Sequence, residues 1–195
     1  MITSTRPEEG KTLSSIALAN SFAKLGQKVL LVDLDLRRMG LSSRLLQNRV
    51  ERGMTAFLSG QVERPDILKS EEFGFDYVPA GKLSPNPAEL LASVRTEGFL
   101  RSIRSQYDQI IVDGPPVLGL ADAVELSRAV DGIAFVIKAN AGTRRSINMA
   151  LDRLRDAKAN IVGGIVTQLD QRNQRYGYGY GYGYGYGYSA KDEAA

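Results

Sequence analysis

The ten residues Thr3–Thr12, TSTRPEEGKT, constrain this chain more than any other stretch. They follow Met1 and Ile2 and open a helical pattern that runs to Leu25. A strand, a loop and a helix meeting at Gly-Lys-Thr is the form of a phosphate-binding loop. Backbone N–H groups of the loop and of the helix start point at the phosphates, and the helix dipole favours their charge. Gly10 lets the backbone approach a ligand where a side chain would collide. Lys11 adds a point charge toward the outer phosphates, and the Thr12 hydroxyl suits one magnesium position. The general pattern is G-x-x-x-x-G-K-[ST]. Thr5 stands at its first glycine.

The remaining chain alternates strands with helices. Leu13, Ile16, Ala17, Ala19, Ala23 and Leu25 have helical spacing, and Gly26 ends that helix. Val29–Val32 is a continuous apolar run, as in a parallel strand buried on both faces. Asp33 and Asp35 follow at its C-terminal end. Short helices are expected over Gly40–Leu46 and Met54–Ser59, and a strand over Phe75–Pro79. Pro87 can open a helix over Ala88–Val94, and a second is predicted over Glu97–Gln106. Tyr107–Val112 reads as a buried strand leading into Asp113-Gly-Pro-Pro. A helix at Ala121–Ala129, a strand at Asp131–Lys138, a helix at Arg145–Lys158 and a strand at Ile161–Gln168 complete the pattern. This alternation predicts an α/β fold: a doubly wound, mostly parallel sheet flanked by helices, with right-handed crossovers. Ligands of such sheets bind outside the carboxyl ends of the strands.

Composition removes whole classes of chemistry. The 195 residues include no cysteine and no histidine, so disulfides, thiolates, a His-based zinc site and a His general base are excluded. Acid–base work falls to Asp, Glu, Lys or Tyr. The net charge of +3 carries no nucleic-acid footprint. Neither a run of apolar residues long enough to span a bilayer nor a secretory leader is read, so the expectation is a cytoplasmic protein.

Asp33, Asp35 and Asp113 are expected on one edge of the sheet beside the Gly-Lys-Thr loop. Asp113, after Ile110-Ile111-Val112, has the position of an acid that helps hold Mg2+. Acids so close repel unless a cation sits among them. Asp33 and Asp35 lie two apart on an extended segment, so their side chains share a side. One of the two suffices for metal; the other is free to accept a proton from an incoming hydroxyl.

From Tyr176 onward thirteen residues alternate seven tyrosines with six glycines. They offer no aliphatic side chains to a core. Residues 1–170 are therefore read as the folded domain and 171–195 as a disordered, flexible Tyr/Gly-rich tail. Glycines between the tyrosines leave the backbone free to thread into a site. Phosphorylation of all seven would add on the order of −10 to −14 charges and turn the tail into an extended polyanion.

The stretches TSTRPEEGKT, LLVDLDLRR and IIVDGPPVLGLADA, with the Tyr-rich tail, resemble the bacterial tyrosine kinases of capsule and exopolysaccharide production. The resemblance implies a P-loop NTPase fold and ATP and Mg2+ as cofactors. Pro7, Glu8, Glu9, Gly10, Lys11, Thr12 and Leu13 would bind the phosphates of ATP. Thr12, Asp35 and Asp113 would serve magnesium. Lys11 and Asp33 would be catalytic, Asp33 as the base that activates a tyrosine hydroxyl. Tyr176, Tyr178, Tyr180, Tyr182, Tyr184, Tyr186 and Tyr188 would be the phosphoacceptors. It further implies a ring-shaped homo-oligomer with tail-to-site contacts, activated at the inner face of the plasma membrane by a membrane-anchored polysaccharide co-polymerase. No nucleic-acid partner is implied.

Two departures from the family carry expectations. Family members have a longer apolar strand before the loop and an upstream helix with an E-x-x-R-x-x-R motif. With two residues ahead of Thr3, a largely missing central strand is expected to weaken sheet and loop. Relatives often read adenine with an Asn near the end of the last strand, where this chain has Ile165-Val166-Thr167-Gln168.

Two other readings stand beside this one. Partition ATPases carry a lysine early in the loop, and Arg6 takes that place here. A nucleotide-dependent ATPase or adaptor of the export machinery without kinase activity is the other reading. Arg37-Arg38 and Arg144-Arg145 are candidates for phosphate or interface contacts, against an ordinary solvated role. Tyr77 and Tyr107 flank strands and are expected in the core or at its edge.

Overall fold

The computed structural model describes residues 1–38, 40–45 and 50–169. The elements are β1 (Ile2–Ser4), α1 (Lys11–Lys24), β2 (Val29–Asp33), α2 (Ser42–Leu45), α3 (Met54–Leu58), β3 (Leu68–Ser70), β4 (Phe75–Val78), α4 (Pro87–Leu91), α5 (Val94–Ile103), β5 (Gln109–Asp113), α6 (Asp122–Ser127), β6 (Ile133–Lys138), α7 (Arg144–Asp156) and β7 (Ile161–Thr167). The strands form one sheet in the order β3-β4-β2-β5-β1-β6-β7. All pairings are parallel except β3 with β4. The expected doubly wound, mostly parallel sheet is present. The tail calls, Tyr176–Tyr188 and the segment 171–195, lie outside the described residues.

The apolar run of β2 works because both faces of the sheet are covered. Leu30 and Val32 pack with Val78, Val112, Phe99, Leu100 and Ile103 on one side. Val29 and Leu31 pack with Ile16 and Ala19 of α1 on the other. Alternate residues of one strand thus feed two cores, each buried aliphatic side chain stabilising by about 1.5–3 kcal/mol. A third cluster joins Phe135 and Ile133 of β6 to Ala150 and Leu154 of α7. Thr143 caps that helix by accepting a hydrogen bond from the Ser146 N–H at 3.2 Å, which explains a start at Arg144.

Several boundaries differ from the sequence expectation. Helix α1 starts at Lys11, not Leu13, because Gly10 takes the N-cap position with φ 97°. Leu13, placed on the apolar stripe, is 58% exposed. Val94 opens α5 instead of closing the preceding helix. Ser93 between them is extended, with its hydroxyl donating to the Leu90 carbonyl. The antiparallel edge strand β3 was not anticipated; its three half-buried or exposed residues carry little periodic signal.

Strand β1, three residues long, lies between β5 and β6, with all three residues registered on β6. Its other edge shifts upward: Ile2 pairs with Asp113, and the Ile2, Ser4 and Thr5 carbonyls accept from Gly114, Val117 and Leu118. The Asp-Gly-Pro-Pro segment therefore runs along β1 and ties it to the end of β5. At the opposite end of the strands, a cavity of about 560 Å3 lies beside Met1, Gln109, Ile110 and Gly132. The acids at the carboxyl ends, Asp33, Asp35 and Asp113, do not line it.

Candidate functional site

The carboxyl ends of β1, β2 and β5 bring together the loop and all three acids. Asp33 and Asp113 are register partners across β2 and β5. Both are fully buried, Asp35 and Lys11 nearly so. Lys11 Nζ stands 3.9 Å from Asp35 Oδ2. The first turn of α1 faces the same point. Ser15 Oγ donates to Asp113 Oδ1 at 3.1 Å and also reaches the Lys11 carbonyl at 3.0 Å. The Thr12 hydroxyl likewise bonds the Asp113 carboxyl.

Asp33 sits one layer deeper than Asp35. The backbone N–H of Asp35 donates to its Oδ1 at 3.2 Å, and the Leu41 N–H also bonds it. Burial, then the charges of Asp113 and Asp35, hold its carboxyl well above the usual range. Asp35 is raised by burial, against the opposing pull of Lys11, the Arg37 N–H and Arg38. Asp113 is pushed up to about 6, again by burial first, while Thr12, Lys11 and Ser15 hold it down.

These groups leave polar atoms unspent. Asp33 Oδ2, Asp35 Oδ1 and Asp113 Oδ2 are buried without a hydrogen-bond partner. An unpaired buried carboxylate oxygen is costly unless a cation or proton arrives. No group of three carboxylates closes into a cage of its own among the described residues. Magnesium fits such a place, since it takes one or two carboxylates and completes its shell with phosphate oxygens and water. Thr12, Asp35 and Asp113 could hold it.

The loop is built for backbone approach. Glu8 takes φ 66° and Gly10 φ 97°. The Glu9 carboxylate accepts from the Arg6 N–H at 3.0 Å, so Glu9 is spent on the loop itself. Glu8 is exposed and pairs with Arg38 at 3.0 Å, while Pro7 is half-buried. The N–H groups at the start of α1 have no helical acceptor and remain for an anion.

Three contributors were not singled out in the sequence. Ser15 lies four residues after Lys11 and so on the same helix face, a spacing that could have found it. Thr167 donates to the Glu9 carbonyl at 2.7 Å, so the last strand braces the loop. Asp122 binds Arg37 through two oxygens, at 2.6 and 3.2 Å. Arg37 is exposed like Arg144 and Arg145, but its guanidinium is anchored to a buried carboxylate. Tyr77 is buried, and Tyr107 donates its hydroxyl to Asp76 at 2.9 Å.

The chain is similar to known proteins in sequence and in fold. Residues 5–160 match a family described as AAA domain. The chain is 32% identical over 177 residues to the tyrosine-protein kinase CpsD of Streptococcus agalactiae, covering 90% of this chain and 77% of that protein. It is 38% identical over 173 residues to the tyrosine-protein kinase etk of Escherichia coli strain K12, covering 88% of this chain. There it spans only about a quarter (24%) of the relative's length. Among solved structures, the kinase domain of Escherichia coli tyrosine kinase ETK superposes with a TM-score of 0.83 at 35% identity. That match covers 94% of this chain and 71% of the other.

Proposed function

Because the chain belongs to the bacterial tyrosine-protein kinase family built on the P-loop AAA domain, we propose that it transfers the γ-phosphoryl group of ATP to tyrosine. Its own Tyr176, Tyr178, Tyr180, Tyr182, Tyr184, Tyr186 and Tyr188 are the proposed acceptors, offered in trans by a neighbouring copy. The observation that supports this reading is the set of three unpaired buried carboxylate oxygens beside Lys11 and the first turn of α1.

The residues divide the work. The segment Pro7–Leu13 cradles the phosphates, the backbone N–H groups from Glu8 to Leu13 donating to them, and Lys11 draws charge from the outer ones. Thr12, Asp35 and Asp113 would hold magnesium, which when bound would supply positive charge against the charge developing on the phosphates. Asp33 accepts the proton of the acceptor hydroxyl as that oxygen attacks the γ-phosphorus and ADP leaves. Its raised proton affinity suits a base better than an ordinary aspartate would be suited.

The same reading places the protein at the inner face of the plasma membrane, in a ring of copies activated by a membrane-anchored polysaccharide co-polymerase, where it regulates capsule or exopolysaccharide polymerisation and export. No helix among the described residues is long and apolar enough to cross a membrane. The test is phosphotyrosine mapping by mass spectrometry after incubation with ATP, Mg2+ and the activator. Labelling is expected in the tail and is lost in Lys11→Met. A tail that stays unlabelled with activator present overturns the kinase reading in favour of a nucleotide-dependent adaptor.

A further inference from the structure

Asp122 stands apart from the loop and the three acids, yet it is almost completely buried, at 1% exposure. It opens α6, on a segment that follows the Asp-Gly-Pro-Pro turn. Its two oxygens take the fork of Arg37, Nε at 2.6 Å and Nη2 at 3.2 Å. Bidentate pairing fixes a guanidinium in angle as well as in distance. Arg37 belongs to the short turn directly after β2. There the Arg38 N–H donates to the Asp35 carbonyl at 3.1 Å, and the Arg37 N–H bonds the Asp35 carboxylate. The turn that aims Asp35 at Lys11 is therefore clamped from outside by one buried acid.

Charge points the same way. Asp122 lies close enough to Asp35 to oppose its ionisation, and the Arg37 guanidinium attracts both. Without Arg37 two acids would face each other, one of them fully buried. Without Asp122 the guanidinium, 35% exposed, could turn into solvent and release the turn.

We propose that Asp122 is a positioning residue that acts through Arg37 to hold the Asp35 carboxylate in the magnesium site. The inference rests on the reading of Asp35 as a magnesium residue. It adds a determinant in a different element that touches neither nucleotide nor metal. A purely structural buried ion pair would also cost stability when broken, so stability alone does not separate the two roles. The dependence of nucleotide binding on magnesium does.

The experiment titrates Mg2+ against fluorescent N-methylanthraniloyl-ADP bound to the full chain and to Asp122→Ala, Arg37→Ala and their double variant, with melting temperatures recorded alongside. Each single variant is expected to raise the half-saturating Mg2+ concentration at least about tenfold, the equivalent of 1.4 kcal/mol. Affinity in EDTA should stay within about twofold of the parent, and the double variant should be no worse than the poorer single one. Should the alanine variants not fold, Asp122→Asn and Arg37→Lys take their place, with a smaller shift in the same direction. Half-saturation unchanged in folded variants, or equal losses with and without Mg2+, overturns the inference. A parent chain whose ADP binding ignores Mg2+ overturns instead the magnesium reading on which it rests.

Discussion

Thr167, the last residue of β7, donates its hydroxyl to the Glu9 carbonyl at 2.7 Å and packs against Gly10. A Cβ on Gly10 would lie 3.1 Å from the Thr167 methyl. The end of the last strand thus holds the crest of the phosphate loop by one hydrogen bond and one surface contact. Thr167→Val keeps the shape and removes the bond, a loss of about 1 kcal/mol. ADP affinity should fall roughly fivefold, read by calorimetry, with the fold intact. An unchanged affinity would show that the loop holds its form without the brace.

Asp113 supplies the pH dependence. Burial above all pushes its carboxyl up to about 6 in the folded state, from an ordinary aspartate value of about 3.9. The folded state therefore binds its proton more tightly than the unfolded state. In metal-free protein this contribution is fully present below about pH 4, declines as pH rises toward 6, and is flat above that. The total is on the order of 3 kcal/mol. Melting in EDTA should accordingly drop between about pH 4 and pH 6.5, and Asp113→Asn should flatten that part of the profile. On the proposed magnesium role of Asp113, excess Mg2+ should restore the parent but not the variant. A variant that melts in parallel with the parent across this range would place the buried charge elsewhere.

Much of this arrangement is legible in the sequence, for physical reasons. A strand buried on both faces must be apolar throughout, so Val29–Val32 and the residues before Asp113 announce themselves. The acids that end those strands then fall on one edge by parallel topology alone. Thr167, Asp122 and the clamp on Arg37 are not visible, since they depend on which loops cross which strand ends. Arg37 looks like half of a surface pair until α6 brings a buried carboxylate to it. Also not visible are the bonds on one edge of β1, where the Ile2, Ser4 and Thr5 carbonyls accept from Gly114, Val117 and Leu118, a non-strand segment that carries no periodic pattern.

Gly40 tests how closely the turn after β2 fits the helix start. A Cβ there would stand 2.9 Å from the Thr12 hydroxyl oxygen, too near for both to keep their places. Gly40→Ala should push Thr12 away from Asp113 and weaken Mg2+-dependent ADP binding about tenfold. Binding in EDTA should change much less, because the backbone cradle remains. Equal losses in the two conditions would mean that the loop itself moves and Thr12 does not yield.

Tyr77 and Tyr107 provide an internal control for the acceptor assignment. Tyr77 is 4% exposed, and burial raises its pKa. Tyr107 is pushed up to about 12 by burial and by the hydrogen bond to Asp76. Its ring also carries the Lys28 ammonium 4.8 Å from its centroid. A hydroxyl held this way reaches a phosphoryl donor only if the domain opens. Phosphopeptide mapping of folded protein should find no phosphate on Tyr77 or Tyr107 after full turnover with ATP and Mg2+. Replacing all seven tail tyrosines by phenylalanine should remove phosphotyrosine while ATP hydrolysis persists, since none of them belongs to the phosphate loop or the acid cluster. Phosphate on Tyr107 in that variant, or hydrolysis lost together with the acceptors, would contradict the assignment.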